Sequence, residues 1–397
     1  MKINNKTYRR NVVANCLERI MFISMKIRNI KTTLLILMLI FSVFSCSNDD
    51  STGDETISNP ESNQETTVEF VKHFETQDSI FTLNSSVQLH DSSYIIGGAV
   101  RFNGSFNKNL LMKFDKYGNR KWTRIMENSY TPYGIEKIFE NGDGYLGFRG
   151  HHYDVENSSH FIYFNQDGII ENEIFLNKDF LANDIIKVEN NFIIAGRTSG
   201  DMAFRMLNNN GELIWETIFD FQPEAFSISR LTNGNYISIG GANAGYHGEF
   251  LIKLNEQGQK IWSKTYKGIE ILGIANNEFL AVIVYQSNWS LVKFDQDGNI
   301  IWNEPLKDFY PDINKPNALS IIDYDNESFL CAYTNPYGHL RLLVLDPNGN
   351  EINFQTFDDG EYTMVSKTID NGLLIGSYET FYKFNIIKLS KDSILNQ

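Results

Sequence analysis

KFDKYGNRKW, residues 113–122, is the first of a series. YFNQDGIIEN (163–172), MLNNNGELIW (206–215), KLNEQGQKIW (253–262), KFDQDGNIIW (293–302) and VLDPNGNEIN (344–353) repeat its pattern. Each begins as an apolar strand, then reads Asp or Asn, two residues, and Gly. In four of the six a Trp follows four positions later. An Asp or Asn opening such a turn accepts hydrogen bonds from backbone N–H groups further on, and Gly takes a positive φ at little steric cost. Each copy therefore predicts a tight β-hairpin. A single D-x-x-G means little, but Gly118, Gly168, Gly211, Gly258, Gly298 and Gly349 recur at intervals of 50, 43, 47, 40 and 51 residues. Regular spacing of this kind marks a repeat architecture.

Two more strands precede each hairpin. A half-polar one ends in turn residues such as Asn141-Gly142, Asn190-Asn191, Asn233-Gly234 and Asn371-Gly372. A short apolar one follows: YIIGGAV (94–100), YLGFRG (145–150), FIIAGRT (192–198), YISIGGA (236–242), FLAVIVY (279–285), FLCAYT (329–334) and LLIGSYE (373–379). Four strands in 40–50 residues are the signature of a propeller blade. The seventh repeat is degenerate, KLSKDS at 388–393 with Ser393 in the Gly position, and the chain stops soon after. VEFVKHFE (68–75) is a strand without a repeat of its own, and its Phe70 aligns with the Trp position. The expected fold is all-β, a seven-bladed β-propeller of four-stranded antiparallel blades over residues 68–397. The N-terminal strand is expected to pair in the last blade, removing an edge open to aggregation.

The D-x-x-G-x-x-x-W core resembles the tryptophan-docking repeat of quinoprotein-type, PQQ-like propellers. The resemblance implies that Trp122, Trp215, Trp262 and Trp302 pack between neighbouring blades. Asn172 and Asn353 depart from it, so two blades must pack differently. Bulb-type lectin repeats also carry short Asp/Asn-Gly hairpins, but they are smaller and bear a different ligand motif. A quinone-binding member would be expected to carry an adjacent Cys pair and an acidic Ca²⁺ site. This chain has three Cys, at 16, 46 and 331, and no pair, so no PQQ or other cofactor is expected.

Residues 25–46 read MKIRNIKTTLLILMLIFSVFSC. Lys26, Arg28 and Lys31 precede an apolar run of signal-peptide length. Val43-Phe44-Ser45-Cys46 resembles the lipobox of bacterial lipoproteins, with Phe44 bulkier than usual, and assigns Cys46 as the acylated residue. Residues 1–24 read as an over-called start, 25–45 as the signal peptide, and 46–67 as a tether. The tether holds six acidic residues, no basic ones and little to bury. Its Ser47-Asn48-Asp49-Asp50 start resembles export signals of surface lipoproteins in Bacteroidetes-type bacteria. Loss of residues 1–45 removes eight basic residues and one acidic residue, deepening the formal charge from −14 to −21. Such a chain repels nucleic acid and anionic membrane surfaces. Its expected place is the outer membrane, held by lipid, as a monomer.

Catalytic motifs are absent. No G-x-S-x-G, H-E-x-x-H or P-loop occurs. Asp295-Gln296-Asp297-Gly298 resembles part of a Ca²⁺ loop, but Leu306 stands where the twelfth-position Glu belongs. His151-His152 would point to opposite sides of a strand, so no metal site is expected. The loops of one face, those joining second to third strands and blade to blade, are rich in aromatics and His. The candidate binding residues are His151, His152, Tyr153, Tyr246, His247, Trp289, Tyr337, His339 and Tyr378. Phe180, Phe309 and Tyr362 on the links between blades belong to the same face. The expected function is a non-catalytic binding or scaffold module for a protein or glycan. Three alternatives stand beside it: a glycan-binding surface lipoprotein, a periplasm-facing outer-membrane assembly factor, and a propeller enzyme with acidic catalytic residues. Nothing in the sequence selects which carboxylates the last would use.

Overall fold

The structure is a computed structural model that describes residues 68–395 except 76–78, 103–107, 127–133, 151–158, 177–178, 200, 221–223, 242–249, 310–318, 325–326, 359 and 381–382. The signal, Cys46 and the tether lie outside the described residues. So do His151, His152, Tyr153, Tyr246 and His247. No helix among the described residues is long and apolar enough to cross a membrane.

Seven four-stranded antiparallel sheets follow one another along the chain, and the fold is a seven-bladed β-propeller. In blade one the strands, from inner to outer, are Ser79–Gln88, Tyr94–Phe102, Lys108–Phe114 and Arg120–Ile125. Blade two has Lys137–Asn141, Gly144–Arg149, His160–Asn165 and Ile170–Phe175. Blade three has Phe180–Val188, Asn191–Thr198, Asp201–Asn208 and Leu213–Phe219. Blade four has Ala225–Arg230, Tyr236–Gly240, Leu251–Leu254 and Lys260–Lys264. Blade five has Gly268–Gly273, Phe279–Tyr285, Asn288–Phe294 and Ile300–Pro305. Blade six has Leu319–Tyr324, Ser328–Thr334, Leu340–Leu345 and Glu351–Phe357. Blade seven has Glu361–Lys367, Leu373–Thr380 and Lys383–Leu389, and its outer strand is Val68–Glu75 from the other end of the domain.

That last pairing runs antiparallel from Val68↔Leu389 to Glu75↔Lys383. Phe74 stacks on Phe384 at 4.9 Å and meets Phe114 of blade one edge-on at 5.5 Å. Lys388, fully buried, reaches Asp370 at 2.9 Å and Glu69 at 3.4 Å. One short strand thus joins the two ends of the chain through a ladder, an aromatic stack and an ion pair.

The recurring turns form as their residues dictate. Asp115 Oδ1 accepts from the N–H groups of Tyr117 and Asn119, and Asp295 and Asp346 do the same in blades five and six. The Asn350 side chain, together with the turn's N–H groups, holds the Asp346 carboxyl below the usual carboxylate range. Asp295 of the Ca²⁺-like fragment is occupied in this way, as a turn. The glycines carry φ near +75°, and they have a second reason to be Gly. A Cβ on Gly258 would lie 2.6 Å from the Trp215 ring, one on Gly168 2.5 Å from Trp122, and one on Gly349 2.6 Å from Trp302. Each Trp rests on the turn glycine of the next blade. Phe70 does this to Gly118, as its alignment predicts.

The two blades with Asn at the Trp position use different solutions. In blade two, Ile174 covers Gly211 in place of Asn172. In blade six, the 388–393 segment is not a seventh hairpin. Ser390 accepts from the Ser393 N–H and starts a short helix, Lys391–Leu395. Its buried Ile394 enters the core, and Asn353 donates to the Ile394 carbonyl at 2.9 Å.

Candidate functional site

The turns joining inner to second strands and third to outer strands emerge on one side of the disc. The second-to-third loops and the links between blades emerge on the other. On that second side the structure separates the predicted binding residues into two groups. Trp289 is half-buried, edge-on to Phe309 at 5.9 Å, and packed against the core between blades five and six. Tyr378 packs beside Phe81 and Met364, and burial raises its phenol. Neither stands clear of the core. Phe180, Phe309 and Tyr362 are buried as well, contrary to the expectation from their loop positions. Phe309 wedges between Trp289 and Tyr333, and Phe180 lies under the Arg205 guanidinium at 4.6 Å. Phe180 and Tyr362 fall not on links but in the inner strands of blades three and seven, and Phe309 on its link turns inward as well, because burial there gains about 25 cal/mol per Å².

Tyr337 is the contrast, with 78% of its surface exposed. It sits in Asn335-Pro336-Tyr337-Gly338, the same turn chemistry transplanted to the loop side. Asn335 Oδ1 accepts from the N–H groups of Tyr337 and His339, each at 3.0 Å, and Gly338 takes φ +83°. The Gly338 carbonyl accepts from Tyr362 N–H at 3.1 Å, tying the hairpin to blade seven. Beside the Tyr ring, at 6.0 Å, stands His339. Asp358 Oδ1 receives both His339 Nδ1 at 3.1 Å and Arg341 at 3.0 Å, with Asp358 itself 60% exposed. An aromatic face on a fixed turn, next to a carboxylate, an imidazole and a guanidinium, can stack a flat apolar surface and hydrogen-bond its edge.

A second arrangement, at the axis, escaped sequence reading. Five inner strands carry a bulge at the same place: between Leu83 and Ser85, Ala182 and Asp184, Ala225 and Ser227, Gly268 and Glu270, and Tyr362 and Met364. Bulges re-aim the side chains after them. The residues paired with the fourth residue of each second strand, or beside it, form one layer. They are Ser85, Lys137, Asp184, Ser227, Glu270, Ser320 and Met364, one per blade. Four of them interlock. Lys137 Nζ donates to Asp184 Oδ1 at 2.7 Å, and Asp184 also accepts from the N–H groups of Ile185 and Ile228. Ser227 Oγ accepts from Ile271 N–H in blade five.

Glu136, just before Lys137, accepts from Gly150 N–H at 3.1 Å. Burial pushes its carboxyl up to about 7, Gly150 and Arg149 pulling against it and Asp184 adding to it. Burial, then the Asp184 charge, push Glu270 higher, to about 8, against Lys137 and Ser227. Burial works against the charge on Lys137, but its three carboxylates outweigh that and raise it above the usual lysine value. The layer is crowded rather than dry, because Lys137 keeps 45% of its side-chain exposure while Asp184 keeps 7%. Cys331, also near Glu270, is a buried thiol pushed up by burial, as its apolar strand predicts. No cluster of three metal-ligating side chains occurs among the described residues.

No protein-family model matches the chain, and no curated protein matches it by sequence. Solved structures share its fold. Virginiamycin B lyase from Staphylococcus aureus, a catalytically inactive form solved with quinupristin, superposes with TM-score 0.55 at 10% identity, over 81% of this chain and 99% of that one. BBS1N, solved in complex with ARL6DN, gives TM-score 0.53 at 11% identity, over 82% and 99%. The Dos1 propeller gives TM-score 0.50 at 11% identity, over 82% and 97%. At these identities the likeness is one of fold.

Proposed function

We propose that this chain is a lipid-anchored outer-membrane protein whose propeller acts as a non-catalytic binding module, with its loop side as the binding face. The observation that carries the reading is Tyr337, held out by a rigid Asx turn beside His339, Arg341 and Asp358. A side chain so exposed contributes nothing to the core, yet its turn and its tie to Tyr362 fix its position. The favoured ligand class is a saccharide, whose apolar ring face stacks on Tyr and whose hydroxyls bond to carboxylate and guanidinium. A protein partner anchored by the same Tyr is the scaffold form of this reading. The lipid anchor rests on the resemblance of Val43–Cys46 to a lipobox.

The enzyme alternative has one observation in its favour, the axial carboxylates Glu136 and Glu270. It ranks second because Asp184 between them is already consumed by three donors. The fold neighbours include both a lyase and a propeller solved with a protein partner, so fold alone decides nothing.

Two measurements test the proposal. Cys46→Ser expressed in a bacterial envelope should move the protein from the membrane to the soluble fraction, and retention in the membrane would refute the anchor. The soluble chain from residue 47 applied to an oligosaccharide array should bind a defined subset. An empty array, with a protein captured in Tyr337-dependent fashion, would replace saccharide by protein as the ligand; neither outcome on any array or envelope extract would refute the binding reading.

A further inference from the structure

The axial layer holds Asp184 and Glu270 with one ammonium, Lys137, which pairs directly with Asp184, and a third carboxylate, Glu136, immediately precedes that lysine. They come from the inner strands of blades two, three and five, or from the residue just before one, and Ser227 and Ile228 of blade four complete the set. We propose that this layer is a proton-operated clamp, in which Glu136 and Glu270 take up protons as the pH falls through neutrality and the ring becomes harder to unfold.

Asp184 holds the ammonium at 2.7 Å and also accepts from the N–H groups of Ile185 and Ile228. It is therefore the carboxylate that the layer's donors serve. Glu136 and Glu270 then face a cation already neutralised by a partner, and like charges in a crowded site disfavour each other's ionisation. Glu136 has a second cation, the buried Arg149, and a backbone donor, Gly150. Glu270 has neither. Blade four gives it only Ser227; the flanking strands Tyr236–Gly240 and Phe279–Tyr285 carry no charged side chain, and Cys331 adds an un-ionised thiol. Asp323 of the neighbouring Leu319–Tyr324 strand stands three residues beyond the layer position Ser320. Around Glu136, Ser79–Gln88 carries no charge and Tyr94–Phe102 only Arg101 near its far end. Both carboxyls are raised, Glu136 to about 7 and Glu270 to about 8.

The sign is fixed by linkage. Both groups hold protons in the folded ring at pH values where an unfolded chain, with an ordinary glutamate near 4.5, has released them. Folded protein then binds more protons than unfolded, and stability falls as pH rises. Their contribution is complete below the ordinary glutamate value and is lost as the pH climbs through about 7 and 8.

Calorimetric unfolding of the chain from about pH 5.5 to about pH 9 tests the clamp, a range that spans both raised carboxyls. The wild-type Tm should drop by several degrees between about pH 6 and about pH 8.5. Glu136→Gln/Glu270→Gln should flatten that slope and melt above the wild type at the alkaline end. This comparison isolates the two carboxyls from the histidines, which the variant retains. A wild-type slope unchanged in the double variant, or absent altogether, would overturn the proposal. A second measurement needs no variant. Unfolding near neutral pH in phosphate and in Tris, buffers of different ionisation enthalpy, should report release of about one proton or more. No release, or net uptake, would overturn it equally.

Discussion

A chain that begins at residue 79 is expected not to fold, whereas one that begins at residue 68 should melt like the chain from residue 47. The difference is the eight-residue strand Val68–Glu75. Its loss breaks a seven-pair ladder, removes the Phe70 cover from Gly118 and the Phe74 stack from Phe384, and takes Glu69 from the buried Lys388. A buried ammonium that loses a partner is itself costly. A domain is stable by about 5–15 kcal/mol in total. Several concurrent losses of roughly 1–4 kcal/mol each consume most of that margin. The bared Lys383–Leu389 strand would then offer an open edge to other chains. Size-exclusion chromatography and circular dichroism should show aggregate for the 79 start. Adding a peptide of residues 66–76 should recover soluble protein. A cooperative melt of the 79-start chain at the wild-type Tm would contradict the strand's role.

The second large effect is a coupling. Gly258→Ala meets two penalties, a left-handed backbone at φ +76° and a Cβ 2.6 Å from the Trp215 ring. The first costs about 1 kcal/mol relative to Gly and the second about 1–3 kcal/mol by overpacking. Trp215→Ala alone removes the ring that seals blade three onto blade four, at about 3 kcal/mol. In the double variant the clash has no partner, so the Gly258 change should add only its backbone penalty to the loss of the Trp215 ring. Denaturant titration of the four chains should therefore show the double variant more stable than the sum of singles by about 1–3 kcal/mol. Strict additivity would mean that the Trp does not rest on the glycine.

The same contact explains how much of the fold was legible. The turn motif and the Trp report one physical event, a ring seated on a residue that must lack a Cβ, so spacing alone disclosed the blade number and the place of Phe70. Where another contact does that work the pattern fades. Ile174 covers Gly211 without announcing itself, and KLSKDS reads as a worn hairpin although Ser390 caps a helix. The site was less legible. Trp289 and Tyr378, read as loop residues, belong to the strands Asn288–Phe294 and Leu373–Thr380, and Phe309 is buried on its link, whereas Tyr337 stands on a loop in solvent. The axial charges were hidden because a bulge adds one residue to five inner strands and breaks the two-residue alternation from which facing is read. Counting back from the regular second strands, rather than along the bulged inner ones, would have put Lys137, Asp184 and Glu270 in one layer.

The division of the disc into a plain side and a binding side can be tested with one matched pair. Tyr117 and Tyr337 occupy the same position of the same turn, 62% and 78% exposed, on opposite sides. Binding of the array-identified saccharide, or of the captured protein, should be measured by titration calorimetry for Tyr117→Ala and Tyr337→Ala, with Tm recorded for both. The account predicts unchanged Tm in each, unchanged affinity for Tyr117→Ala, and a loss of about tenfold or more for Tyr337→Ala. Equal affinity in the two variants, or loss confined to Tyr117→Ala, would contradict it.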